Sequence, residues 1–230
     1  VSWSTVFTTA PLSDLVYTNG NWVGVLNTGG QAAMITGSSL SSLTFSGSDV
    51  FTSVGVIRYM AQNNSGDVIA VSNTGVIIHS GSYGSSGSWS KILSSTFLSS
   101  PTWTGLTCFN GLFVAVGTFY AASITTMWVG TSSDGVTWSI TNLATTSGVN
   151  GRLQGIASNS NCIIRFMNQT IFSNSPVDFY TSTDGSSWSF MSTDSTPGAV
   201  LKETADDKIY RTNYSRSGSP PASVYRTTSG

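Results

Sequence analysis

Thr131-Ser-Ser-Asp-Gly-Val-Thr-Trp138-Ser139 and Thr181-Ser-Thr-Asp-Gly-Ser-Ser-Trp188-Ser189 are two copies of one pattern. Each reads as strand, Asp-Gly turn, strand. Asp-Gly between β-rich flanks signals a tight hairpin, because glycine accepts positive φ without steric cost. A degenerate copy ends at Gly87-Ser-Trp89-Ser90 and another at Leu43-Thr-Phe45-Ser46.

A second element precedes each copy. Asn19-Gly20 leads into Trp22–Val25, Ser65-Gly66 into Val68–Val71, and Asn110-Gly111 into Phe113–Val116. Asn159-Ser160 leads into Cys162–Arg165, and Asp206-Asp207 into Ile209–Thr212. Each is a turn before a short apolar run, and another short apolar stretch stands before the turn. The repeating unit is therefore four strands, with the Asp-Gly hairpin joining the third to the fourth. In the second strand, Gly24, Ala70 and Ala115 form a column of small residues that lets neighbouring sheets approach; Ile164 and Arg211 are expected in the same column.

The two ends fit the pattern. Arg226-Thr-Thr-Ser-Gly230 followed by Val1-Ser-Trp3-Ser4 matches Ser132–Ser139. Marker aromatics then fall at Trp3, Phe45, Trp89, Trp138 and Trp188. Their spacings of 42, 44, 49, 50 and 45 residues return to Trp3 after 230. Four-stranded units of this length are propeller blades. The expected fold is all-β, a five-bladed β-propeller of antiparallel blades. Residues 1–4 pair with the C-terminal strands of the last blade to close the ring and remove an open edge. The chain is read as one domain and one complete ring, processed or cut from something longer. Its blades lie at about 5–46, 47–90, 91–139, 140–189 and 190–230 with 1–4.

The Asp134-Gly135 and Asp184-Gly185 segments resemble the Asp-box, or BNR repeat, of sialidases and other propellers, shortened by one residue between Asp and Gly. Similar forms occur in propeller domains of bacterial and phage surface and tail proteins. The resemblance implies that Asp134 and Asp184 cap their turns. It implies that Trp138 and Trp188 pack between sheets, away from any ligand.

Composition excludes several functions. Nine Lys and Arg in 230 residues are too few for phosphate recognition or electrostatic membrane docking. No apolar run is long enough to span a bilayer. A content of 39% hydrophobic residues argues against disorder. Cys108 and Cys162 alone make no disulfide framework; they read as core thiols, with a single bridge left open. No cofactor or metal site is expected.

Glu203 is the only Glu, and no three-Arg sialidase cluster is apparent. Asp14 with Glu203 is the carboxylate pair a glycoside hydrolase would use, an alternative reading. His79, the single His, lacks a nucleophile-elbow motif and reads as a strand residue. Asn63, Asn168 and Asn213 head glycosylation sequons.

Binding chemistry is better represented. Long second-to-third-strand loops are expected at 118–126, 168–177 and 213–221, with Phe119, Tyr120, Tyr214 and Arg216 as ligand candidates. Trp103 is a further aromatic, placed between the fourth strand of one unit and the first of the next. Exposed aromatics give sugars a flat face, and the 72 Ser and Thr supply hydrogen bonds. Arg165 and Arg211 break apolar strands and are candidates for a polar pocket or anionic-sugar clamp. The expected function is a non-catalytic recognition or adhesion domain for a cell-surface glycan or receptor. Its expected setting is extracellular or a virion surface, as in a phage tail fibre, without nucleic acid or membrane insertion. A structural or protein-interaction propeller within a larger assembly is the alternative.

Overall fold

The computed structural model describes residues 12–28, 31–92, 102–121, 124–147, 152–161, 163–168, 177–194, 200–203, 209–212 and 224–226. The expected closing strand at residues 1–4 lies outside them.

The strands form five antiparallel sheets in chain order. The first holds β1 (Leu12–Thr18), β2 (Asn21–Thr28), β3 (Gln31–Gly37) and β4 (Thr44–Thr52). The second holds β5 (Ile57–Gln62), β6 (Val68–Ser72), β7 (Ile77–Ser80) and β8 (Trp89–Ile92). The third holds β9 (Thr102–Phe109), β10 (Leu112–Ala121), β11 (Ile124–Ser132) and β12 (Ser139–Ser147). The fourth holds β13 (Arg152–Ser158), β14 (Ile163–Asn168), β15 (Val177–Ser182) and β16 (Ser189–Asp194). The fifth has three described strands, β17 (Val200–Glu203), β18 (Ile209–Thr212) and β19 (Val224–Arg226). In every sheet the strands stand in chain order, so each is a meander of hairpins.

Turn chemistry makes these hairpins. Asn19-Gly20 and Asn110-Gly111 both have positive φ, 45° and 80° in the first and 49° and 80° in the second. That is the type I′ signature, whose twist matches the strands it joins.

Contacts group the chain into two compact units, one of residues 1–102 with 134–137, the other of 103–133 with 138–230. In the first, Val23, Val25 and Met34 pack against Ile57, Met60, Val68, Ala70 and Ile78. Side-chain hydrogen bonds tie the same two sheets. Asn27 donates to the Ile57 carbonyl at 2.8 Å and accepts its N–H at 3.0 Å, as a strand neighbour would. In the second unit, Val114, Val116, Met127 and Val129 pack against Phe109 and Ile156. Thr107 and Ser158 join their hydroxyls there at 2.7 Å.

The turn between third and fourth strands keys onto the second strand of the preceding sheet. A Cβ on Gly84 would meet Val23, on Gly135 Ile69, and on Gly185 Leu112 and Val114. The glycine doing this in the second sheet is Gly84, buried at φ +68°, rather than the exposed Gly87 of the expected alignment.

Registers correct two further alignments. Ile35 and Ile78 hold corresponding places opposite Gly24 and Ala70, and Thr36 pairs with Thr44 as His79 does with Ser90. The first-sheet counterpart of Trp89 is therefore Leu43, not Phe45. Ala70 faces Ile78 and Ala115 faces Gly130, each two residues before the turn serine. Tyr180 has that position in the fourth sheet and faces Arg165. Arg165, not Ile164, thus occupies the small-residue column, and Arg211 opposite Tyr225 repeats it in the fifth sheet.

Candidate functional site

The central strands of the third sheet are longer than those of the second. β6 and β7 have 5 and 4 residues; β10 and β11 have 10 and 9. Beyond the Gly117–Trp128 pair the ladder continues from Thr118↔Met127 to Ala121↔Ile124. β12 runs alongside to Ser147 opposite Ile124. The result is a three-stranded overhang at the end where second strands pass to third strands.

Residues 118–121 and 124–126 are therefore strand, where a long connecting loop over 118–126 is expected from the sequence. Their aromatic and β-branched residues find matching partners, Phe119 opposite Thr126 and Tyr120 opposite Thr125, and cross-strand pairing of that kind stabilises a ribbon. Phe119 is half-buried. Tyr120 follows it directly in the strand, at the register position of the opposite face.

Trp128 was not singled out by the sequence. It lies on the Phe119 face, opposite Gly117 on one side and the exposed Asn142 on the other. Gly117, itself buried, sets no side chain beside the half-buried indole. The enclosed indole N–H has no acceptor among the described residues. The legible signal is a Trp within the β-rich Met127–Val129 run beside a glycine-bearing partner strand.

The other candidates fall elsewhere. Trp103 is 1% exposed, inside β9, with its ring edge 3.2 Å from where a Gly130 Cβ would stand. It fills the space that this glycine leaves and offers no stacking face. Arg165 and Arg211 sit mid-strand in β14 and β18, each between an aliphatic residue (Ile156, Leu201) and a tyrosine (Tyr180, Tyr225). Tyr214 and Arg216 lie outside the described residues. Among the described candidates, only Phe119 and Tyr120 share one element.

Asp14, Asp49, Asp134, Asp184 and Asp178 each have structural partners. The Asp14 carboxylate accepts the Leu15 N–H at 2.9 Å and, from the next sheet, the Met60 N–H at 2.7 Å. Asp49, 2% exposed, takes the Gly87 N–H on both oxygens at 3.0 and 2.9 Å. Asp134 Oδ1 accepts the N–H groups of Val136 and Thr137 at 2.8 and 2.7 Å. Asp184 Oδ1 repeats this with Ser186 and Ser187 at the same two distances. The Ser187 and then the Ser186 backbone N–H hold the Asp184 carboxyl well below the usual carboxylate range. Asp178 accepts the Thr193 hydroxyl at 2.6 Å.

His79 bonds Asp67 through Nε2 at 2.9 Å, and Asn63 donates to the same carboxylate at 2.8 Å. Asn63 is 6% exposed and its Oδ1 accepts the N–H groups of Ser65 and Asp67. This sequon asparagine is thus built into its turn. The sequon asparagine Asn168 ends β14 with its side chain outside the description, and Asn213 lies outside the described residues. Burial pushes the Tyr59 hydroxyl above its ordinary value, opposed by Arg58 and reinforced by Asp14.

No protein-family model and no curated protein matches the sequence. Solved structures do. The β-propeller domain of the Trilobed protease from Pyrococcus furiosus superposes with a TM-score of 0.54 at 13% identity, over 95% of this chain and 68% of that one. The chain folds as a β-propeller. YCF48 bound to D1 peptide superposes on this propeller at 0.56 and 12% identity, over 93% of it. The propeller spans 64% of the YCF48 chain. The endo-arabinase from Bacteroides thetaiotaomicron VPI-5482 superposes at 0.52 and 10% identity, covering 96% and 95% of the two chains. Likeness at this identity is one of fold.

Proposed function

We propose that this propeller is a non-catalytic recognition domain that binds a neutral, hydroxyl-rich ligand, a cell-surface glycan or glycosylated receptor, at the overhang of its third blade. The observation that carries this reading is the overhang itself. It extends beyond the length of the second sheet and sets Phe119 and Trp128 on one face. Tyr120 is at the position of the other. Thr118, Thr125, Thr126, Thr145 and Thr146 surround them in the ladder. Apolar rings among hydroxyls suit a sugar, whose own surface combines C–H faces with hydroxyl rims. The engagement of Asp14, Asp49, Asp134, Asp178 and Asp184 in holding backbone or hydroxyl groups supports a non-catalytic role. The structural neighbours include a peptide-bound propeller and an endo-arabinase, so partners of either chemistry have precedent on this fold.

The ring is five-bladed and closed by residues 1–4. Register supports this: Tyr225 corresponds to Tyr180, so counting onward places Gly230 with Gly185 and Trp3 with Trp188. The setting is extracellular or a virion surface, of the phage tail-fibre kind.

A glycan array probed with the full chain and with Phe119→Ala/Tyr120→Ala tests the reading. Binding to neutral glycans by the parent, lost in the variant at unchanged melting, is the expected result. Clean negatives with a folded parent favour the structural role, and hydrolysis of any arrayed glycan overturns the non-catalytic one.

A further inference from the structure

We propose that the overhang of the third sheet is a strap that opens and closes on a hinge at two consecutive rungs of its ladder, Gly117↔Trp128 and Thr118↔Met127. Thr118 is 7% exposed. Its enclosed hydroxyl has no hydrogen-bond partner among the described residues, and the Trp128 indole N–H is in the same condition. A buried polar group left without a partner costs its full desolvation. Each of the two groups therefore favours a state in which water reaches it. Breaking the two rungs supplies that state, because it exposes both faces of the ribbon at once.

The ladder is also weak at this place. Gly117 brings no side chain to pair with Trp128, and a glycine inside a strand weakens it. On the other side of β11, Met127 faces Ala144 and Trp128 faces Asn142, so Leu143 is an extra residue that interrupts the pairing with β12. Below the hinge the same strands are anchored. Val114, Val116 and Val129 are buried in the core of this unit, and their rungs, Val114↔Thr131 and Val116↔Val129, follow one register. Met127 reaches that core from the hinge rung, whereas Thr118 opposite it brings a hydroxyl to the same face. A weak pair of rungs beside a buried core divides the ribbon into a fixed part and a part that opens as a unit.

The opening part is 118–121 with 124–127. Phe119 belongs to it and Trp128 stands at its base, both on one face of the ladder. Only the paired form keeps those two rings together. On the reading of the overhang as a glycan surface, closure and binding are therefore coupled, and a ligand lying across both rings holds the strap shut.

Amide hydrogen exchange of the full chain without ligand tests the hinge, in the parent, Thr118→Val and Thr118→Ser. Valine keeps the shape of threonine and removes the hydroxyl, whereas serine keeps the hydroxyl. In the parent, amides of 118–121 and 124–127 are expected to exchange together, and faster than those of 114–116 and 129–131. Thr118→Val should slow the first set roughly tenfold, at an equal or higher melting temperature, and leave the second set unchanged. Thr118→Ser should leave the first set at least as fast as in the parent. A first set as slow as the second in the parent, no slowing in Thr118→Val, or equal slowing in both variants would each overturn the proposal. So would a loss of stability in Thr118→Val, which would show that the hydroxyl has a partner such as a buried water. With no glycan in the measurement, failure of the hinge leaves the binding reading standing, and failure to bind a glycan leaves the hinge standing.

Discussion

The Asp14 carboxylate, in the first strand of the first blade, accepts the backbone N–H of Met60 in the first strand of the second at 2.7 Å. The same side chain takes the Leu15 N–H at 2.9 Å. It is a clasp between adjacent blades, next to the Asn27 side chain that pairs with the Ile57 backbone. Asp14→Ala leaves those N–H groups without this acceptor. It is expected to cost about 1–3 kcal/mol in denaturant unfolding, the penalty of a polar group left unsatisfied. A glycoside hydrolase reading of Asp14 instead requires lost hydrolysis at unchanged stability.

Three glycines separate backbone strain from crowding. Gly20, Gly135 and Gly185 all have φ between +72° and +80°. A Cβ at Gly20 meets nothing within 4 Å; at Gly185 it stands 3.1 Å from Leu112 and Val114; at Gly135 it stands 2.3 Å from Ile69. Gly20→Ala is expected to cost only the left-handed penalty, about 1–2 kcal/mol. Gly135→Ala adds overpacking of about 1–3 kcal/mol, with Gly185→Ala between the two. Chemical denaturation of the three variants gives the order, and equal losses would contradict a docked Gly135.

Asp184 links the turn to pH. Its carboxyl is held low by the Ser187 and Ser186 N–H groups, so it titrates lower in the folded chain than in the unfolded one. The stabilisation is complete above the unfolded value of about 3.9 and is lost as pH falls toward the folded value. The group is fully exposed, so the effect is small. Melting followed by tryptophan emission from pH 7 to 2 should decline less steeply below about pH 4 in Asp184→Asn than in the parent.

The proposed ring closure predicts a role for a residue far from β19 in sequence. If Trp3 completes the last blade as proposed, Trp3→Ala is expected to cost about 3–5 kcal/mol, the loss for a large aromatic removed from a core. Deletion of residues 1–4 should lower the melting temperature further or drive self-association through the opened edge. A truncated chain that stays monomeric with unchanged melting would contradict closure.

The repeated hairpins were legible because their turns need particular residues. Asn19-Gly20 and Asn110-Gly111 demand consecutive positive φ, and Asp184 demands two N–H groups to cap. What escaped depends on register. The extra residues opposite β2, β6 and β14 fall between Leu12 and Asp14, Ile57 and Tyr59, and Leu153 and Gly155. Such bulges leave no composition signal, and nothing local distinguishes Ile164 from Arg165 as the column residue. Gly84 was hidden by the longer turn between Ser80 and Trp89. The overhang was missed because nothing in the sequence marks how far the ladder between β10 and β11 runs. Its strand character comes from its partners Ile124–Met127 and Ala144–Ser147, which are set by tertiary pairing. Trp103 is expected in the connection between two units, whereas it lies inside β9, where the missing side chain of Gly130 gives it a core site.

Recognition at the overhang is tested most directly by amide hydrogen exchange of the full chain, with and without the neutral oligosaccharide that binds best on an array. The expected result is slowed exchange confined to 118–121, 124–128 and 142–147, abolished by Trp128→Ala. Slowed exchange at any other blade with 118–128 unchanged would contradict it.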